Sequence, residues 1–221
     1  MLATPRLNRL PAMERGITIG DFLVPIRVGE RLSSRMRHLA LILVGALFIA
    51  LTANFSLRVP GSPVPVTGQT LSVLVVGGAL GFRRGLLATA MYLVLGFGLP
   101  VYAEHHQGIA TIASIGGGRL VLGATGGYLV GFVVAAGLVG RLAELGWDRS
   151  PGGAVAAMVL GNLVIYAVGL PWLAAATGAS GEWTVRNGFL PFVAGDALKL
   201  VLAAGLFPVA WWLVGRRVGE R

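Results

Sequence analysis

The sequence predicts an all-α integral membrane protein with six transmembrane helices and both termini in the cytoplasm. Three observations lead there. Hydrophobic residues make up 55% of the 221 and charged residues 12%, with a mean hydropathy of +0.78, whereas soluble globular chains are about one-quarter charged. Six apolar stretches recur along the chain, most at lengths that a bilayer core requires. The basic residues fall mainly on alternate connections between these stretches, as the positive-inside rule expects.

The elements follow in order. Residues 1–38 hold seven arginines against three acids. They lack the early unbroken apolar core and small-residue cleavage site of a signal peptide, and read as a basic cytoplasmic extension. Within it, Ile17–Ile26 is either a short amphipathic segment on anionic lipid or a disordered lead-in. The membrane domain occupies residues 39–217, and residues 218–221 form a cytoplasmic tail. Its expected spans are Leu39–Leu57, Thr70–Phe82, Leu86–Tyr102, Leu120–Leu142, Gly153–Thr177 and Phe189–Gly215. The second is short for a crossing, since a helix rises only about 1.5 Å per residue.

Charge fixes the number of spans. Six crossings place 14 of the 18 basic residues inside, leave Arg58, Arg119 and Arg186 outside, and put Lys199 within the membrane. Five would put one of the two basic termini outside. The net charge of +9 is thus a topology signal at a lipid bilayer and not a nucleic-acid footprint. No cysteine is present, which removes disulfides and thiolate metal sites.

Two outer connections stand apart. RVPGSPVPVTGQ, Arg58–Gln69, has three prolines within six residues and is non-helical. It is expected to dip inward, where only protein or a water-filled cavity can satisfy its backbone. AEHHQGIATIASIGGGR, Ala103–Arg119, is long and glycine-rich, as a lid over a pocket would be.

The chemistry concentrates in FLPFVAGDALKLVLAAG. Asp196 and Lys199 are three residues apart and share a helix face. They lie about 10 and 15 Å below the outer end of their helix, where each charge costs about 2.5–3.5 kcal/mol. One reading is an internal ion pair that holds helices together. The other, which the depth favours, is a ligand site facing an interior cavity. Asn162 and Tyr166, one turn apart, either join that site or bond helix to helix. Thr67 and Gln69 either reach inward or cap the loop. Trp172 is either a stacking surface or a membrane-belt aromatic. His105-His106 lacks the spacing of a shared metal site, and no metal is expected. Small-residue stripes run along two helices, Ala46 and Ala50 on the first, and Gly123, Gly127 and Gly131 on the fourth. The fourth helix's stripe reads as internal packing, and the first's as packing or an external partner surface.

Five segments together carry a resemblance: PVPVTGQTLSVLVVGGALGFRRG, GFGLPVYA, GATGGYLVGF, YAVGLPWL and PFVAGDALK. In this order they resemble the BioY family, the biotin-specific substrate-binding (S) components of energy-coupling-factor (ECF) transporters. The resemblance spans about His38–Arg217, and departs from the family pattern at Ala124, where proline is usual. It implies an S component of the cytoplasmic membrane that captures biotin from outside, as transported ligand and not cofactor. Asp196 and Lys199 match the family's ligand-contacting GD-x-x-K motif. Tyr128, in GATGGYL, joins the expected binding residues. Asp196 suits the ureido N–H groups and Lys199 the ureido carbonyl, while Arg119 or glycine-loop N–H groups receive the carboxylate. The opposite orientation, carboxylate on Lys199, stays open. Ala46 and Ala50 match the surface that docks on the transmembrane coupling protein, with two cytoplasmic ATPases completing the transporter. No GxxxxGK[ST] loop occurs in this chain, so ATP would be used by other subunits. Other readings are an S component for thiamine or riboflavin, a structural membrane subunit, and an intramembrane enzyme. The last finds no second membrane carboxylate or nucleophile to complete a catalytic site.

Overall fold

The computed structural model of the chain describes residues 16–23 and 33–219. It is mostly helical: α1 (Gly20–Leu23), α2 (Ser34–Ala53), α3 (Gln69–Leu80), α4 (Phe82–Gly98), α5 (Gly126–Glu144), α6 (Pro151–Thr177), α7 (Gly181–Gly188) and α8 (Leu190–Gly219). Among the described residues, α2, α4, α5, α6 and α8 are long and apolar enough to cross a membrane, and α3 is a shorter apolar helix. Five such helices are therefore present, with the expected second span reduced to 12 residues.

Helix ends follow from local chemistry. Ser33 caps α2 by accepting a hydrogen bond from Met36 N at 3.3 Å, so the helix starts five residues before the apolar run. Ser150 caps α6 by accepting from Gly153 N at 3.2 Å, with Pro151 in the first turn, where its missing N–H costs nothing. Gly81 separates α3 from α4 with a φ of 83°, a conformation that a residue with a Cβ rarely adopts.

Two β-hairpins interrupt the all-helical expectation. β1 (Ser56–Leu57) pairs antiparallel with β2 (Val66–Thr67), closing the proline-rich connection into a flap whose Val64 is buried. β3 (Ala113–Gly116) pairs with β4 (Arg119–Leu122), with Gly116 opposite Arg119. Gly117 and Gly118, at φ of 57° and 74°, make the two-residue turn that such a hairpin requires. Leu120–Leu122 was expected to begin the fourth span. It is strand instead, because a short apolar run reads alike as strand or helix start.

The packing is tightest where backbones meet. A methyl group added to Gly77 of α3 would stand 2.5 Å from the Ala136 carbonyl oxygen of α5, and one at Gly140 of α5 2.5 Å from Gly81 C. The α5 stripe is likewise internal: Gly127 abuts Trp172 and Gly131 abuts Ile165 of α6. The expectation for Ala46 and Ala50 needs correction. Ala46 is fully buried and Ala50 only 7% exposed, and a methyl at the neighbouring Gly45 would touch Ala88 and Val76 within about 3 Å. These alanines pack inside the chain. The outward side of α2 carries Leu39, Leu43, Leu47 and Leu51, all exposed.

The amino-terminal segment also differs from expectation. Residues 16–23 tuck under one end of the bundle, and residues 24–26 of the expected amphipathic stretch lie outside the described residues. Thr18 is 1% exposed and Ile19 7%. Arg84 Nη1 meets Asp21 Oδ1 at 2.9 Å, Arg84 Nη2 donates to Thr18 Oγ1 at 3.0 Å, and Gly16 N donates to Glu144 O at 2.9 Å. Burial opposes ionisation of Asp21, but the Arg84 and Thr18 hydrogen bonds outweigh it and hold the carboxyl below its ordinary range. This end carries Arg83, Arg84 and Arg141. The two hairpins lie at the opposite one.

Candidate functional site

At the hairpin end a cavity of about 440 Å³ opens between the two irregular connections and the ends of α3, α5, α6 and α8. Pockets of about 300–1,000 Å³ accommodate small-molecule ligands. The proline-rich flap contributes Pro63, Val64 and Pro65 to the wall. The connection after α4 contributes Tyr102, Glu104, His106, Gln107 and Thr111. The helices contribute Gln69, Thr70, Tyr128, Phe132, Tyr166 and Phe192.

One polar chain backs the wall. Tyr166 on α6 donates its hydroxyl to Asp196 Oδ2 on α8. Lys199 Nζ meets Asp196 Oδ1 at 3.1 Å and donates to Thr70 Oγ1 on α3. Asp196 and Lys199 are thus not wall residues themselves. Each lies directly behind one, Asp196 behind Tyr166 and Lys199 behind Thr70. Their side chains keep 10% and 13% exposure, so the pair is desolvated but not sealed away. Three helices are joined by it.

A second polar cluster lies on α3. Thr67 Oγ1 donates to Gln69 Oε1 at 2.9 Å and accepts from Gln69 N at 3.2 Å. Gln69 Nε2 donates to the fully buried Tyr92 hydroxyl. Asn162 sits one turn before Tyr166 on α6, and its buried Oδ1 has no hydrogen-bond partner among the described residues. An unmet buried acceptor costs about 1–3 kcal/mol.

Aromatic rings form the rest. Tyr128 stacks on Phe192 with centroids 6.2 Å apart, and its hydroxyl donates to Gly188 O at 2.9 Å. Tyr166 meets Phe189 edge-on at 4.8 Å. Tyr102 reaches the wall because Gly96 leaves room. A Cβ at Gly96 would lie 2.2 Å from the Tyr102 ring, whose hydroxyl donates to Leu93 O at 2.7 Å. This explains the GFGLPVYA segment physically: the glycine accepts the ring that arrives six residues later.

Across the mouth, Arg58 after β1 forms a two-pronged ion pair with Glu104, Nη2 to Oε2 at 2.8 Å. Glu104 and His105 both have φ near 60°, a left-handed backbone uncommon for residues with a Cβ.

The structure therefore brings Thr67, Gln69, Tyr128 and Tyr166 to the cavity wall and Asp196 and Lys199 immediately behind it. Asn162 is buried beside Tyr166 without lining the cavity. Arg119 does not line it either: it is exposed on β4. Trp172 is held by Gly127 and by a 3.0 Å bond from Nε1 to Gly123 O, as an internal packing residue. Thr70, Tyr102, Glu104 and Phe192 were missed from sequence. Phe192 was within reach, because it precedes Asp196 by one turn on the same face. Glu104 had no such signal.

The family model described as the BioY family matches residues 27–216, beginning eleven residues before the His38 start read from motifs. The biotin transporter BioY of Rhizobium etli is 36% identical over 72% of this chain and 86% of its own length. The biotin transporter BioY of Thermotoga maritima is 37% identical over 75% of this chain and 86% of its own. In fold, the chain is similar to a crystal structure of the S-component for biotin from an ECF-type ABC transporter. The TM-score is 0.67 at 22% identity, covering 86% of this chain and 95% of that one.

Proposed function

The chain belongs to the BioY family, and we propose that it is a biotin-binding transport subunit that captures its ligand in the cavity between the two outer connections. The observation that carries this is the Tyr166–Asp196–Lys199–Thr70 chain behind the cavity wall. A desolvated acid and base, held by the hydroxyls of two residues that line the cavity, suit a compact guest with both N–H donors and a carbonyl, as a ureido ring has. Tyr166 and Thr70 can turn their hydroxyls from the ion pair to the guest, or yield Asp196 and Lys199 to it. Tyr128, Phe192 and Phe132 supply the apolar wall for a thiophane ring and valeryl chain.

The carboxylate receiver assigned from sequence, Arg119, is replaced in this reading by the flap side of the mouth. There Glu104, His106, Gln107 and Thr111 line the cavity, and Arg58 is held beside them by its ion pair with Glu104.

In membrane terms, α3 completes a set of six crossings with the arginine-rich end in the cytoplasm and the cavity outside, in a cytoplasmic membrane. A transmembrane coupling protein and two ATP-binding chains would drive release, because this chain has no phosphate-binding loop of its own.

Calorimetry of the purified protein with biotin and with biotin methyl ester tests the reading. Tight biotin binding with weaker ester binding supports both ligand and carboxylate recognition. No heat with biotin, but heat with thiamine or riboflavin, removes the biotin assignment.

A further inference from the structure

We propose that the opposite end of the bundle holds a built-in site for one anionic phospholipid, with its phosphate on Arg83 and Arg141 and its chains along α2 and α4. This does not rest on the biotin reading. A second cavity, about 840 Å³, opens there between the start of α2, the α3–α4 turn and the end of α5. Its rim carries Arg83, Arg84, Arg141 and His38 against one carboxylate, Glu144. Its apolar lining includes Ile42, Leu80 and Leu87.

The charges are unequally occupied. Arg84 is committed to Asp21, Thr18 and the Leu80 carbonyl. Glu144 is committed as well, accepting from Phe82 N at 2.9 Å and from Arg141 Nη1 at 3.1 Å. Arg83 makes no hydrogen bond or ion pair among the described residues, and Arg141 keeps donors beyond its one bond. Among the described residues, the cavity thus presents one unpaired guanidinium and one partly paired one, with an imidazole nearby and one acid, already engaged. That donor set fits a singly charged phosphate diester.

The surroundings choose a lipid over a free anion. From the cavity the surface continues onto Leu39 and Leu43 of α2 and Leu87 and Val94 of α4, all exposed. These helices are of membrane-crossing length and composition, so that surface faces hydrocarbon. A phosphate at the rim with acyl chains below satisfies both parts, which inorganic phosphate cannot. Basic pockets between membrane helices bind anionic headgroups in this manner.

The test uses the full-length protein in detergent micelles, observed by native mass spectrometry. Phosphatidylglycerol, phosphatidylcholine and inorganic phosphate are added separately at equal concentration. A one-to-one phosphatidylglycerol adduct is expected, retained far better than the phosphatidylcholine adduct. Arg83→Ala should weaken it about fivefold, the effect of one basic residue at an anionic membrane surface, and Arg83→Lys should keep most of it. Arg141→Gln is the second variant. Because Arg83 bonds to nothing among the described residues, its lipid-free melting temperature should match the parent's. Equal retention of the two lipids, or an adduct unchanged in both arginine variants, overturns the proposal. So does inorganic phosphate that binds one-to-one and displaces the lipid. Loss of assembly with an acidic protein partner, with no lipid preference, would also overturn it and assign the patch to that partner.

Discussion

Removing the two charges behind the cavity wall, singly and together, separates a ligand site from an internal ion pair. Asp196 and Lys199 meet at 3.1 Å with side chains 10% and 13% exposed. In Lys199→Met the carboxylate loses its counter-charge and keeps only the Tyr166 hydroxyl. Breaking a buried pair by removing one partner costs about 3–5 kcal/mol, and the residual exposure places this case toward the lower figure. In Asp196→Asn/Lys199→Met no charge is left behind, so most of that loss should return. Biotin affinity should behave otherwise. Asp196→Asn removes a charged acceptor, and a hydrogen bond to such a group contributes about 1.5–3 kcal/mol, or about 10–150-fold in Kd. The double variant cannot restore it. Thermal unfolding in detergent, followed by tryptophan fluorescence, gives the stability arm, and titration calorimetry gives the affinity arm. A double variant that regains stability and also binds biotin like the parent would make the pair purely structural and refute the site. A single variant as stable as the double would refute the desolvated-pair argument itself.

Other outcomes follow from single contacts. Gly96→Ala puts a methyl group 2.2 Å from the Tyr102 ring. It should destabilise by about 1–3 kcal/mol and weaken biotin binding by moving Tyr102 from the wall, while Gly98→Ala, with nothing within 4 Å, should do neither by steric contact. Arg58→Gln releases Glu104 at the cavity mouth and should speed exchange of bound biotin in a chase experiment with little change in melting temperature. An unaltered exchange rate would deny the ion pair any role at the mouth. Asp148, in the turn between α5 and α6, is 3% exposed and accepts from Trp211 Nε1 at 2.7 Å. Burial pushes its carboxyl up to about 6 from 3.8, against the Trp211 bond and Arg149. A raised acid binds its proton more tightly folded than unfolded, so its contribution is full below about pH 4 and declines as pH rises to about 6. Asp148→Asn should flatten that decline and stabilise the protein at pH 7 by no more than about 3 kcal/mol. A parent protein that gains stability over that pH interval relative to the variant would contradict this.

Much of the frame was legible because bilayer length and charge asymmetry are strong, local signals. The apolar runs of α2, α4, α6 and α8 correspond to expected spans. Asp196 and Lys199 were legible because three residues always share a face on a helix. What was not legible depends on long-range placement. Tyr166 reaching Asp196, or Gln69 reaching Tyr92, joins one helix to another, and periodicity does not say which faces meet. Arg119, expected on a lid-like connection over the pocket, is carried outward because that connection folds into a hairpin. Ala46 and Ala50 were misread because a small-residue stripe looks the same whether it meets another subunit or the next helix. Thr18 and Ile19, read as part of a lipid-lying or disordered segment, are instead buried, and Thr18 is bonded by Arg84, more than sixty residues away.

The backbone-to-backbone seams at Gly77 and Gly140 restrict how the molecule can breathe. With no side chain between them to change rotamer, α3, α5 and the start of α4 have nothing to slide on, and would shift only as one body. Opening for a guest would then fall to the strand flaps, α7 and the outer half of α8, swinging against a stationary flank. Bulkier residues along those seams should jam assembly of that flank itself, whereas changes to the flaps should alter only how fast the door works.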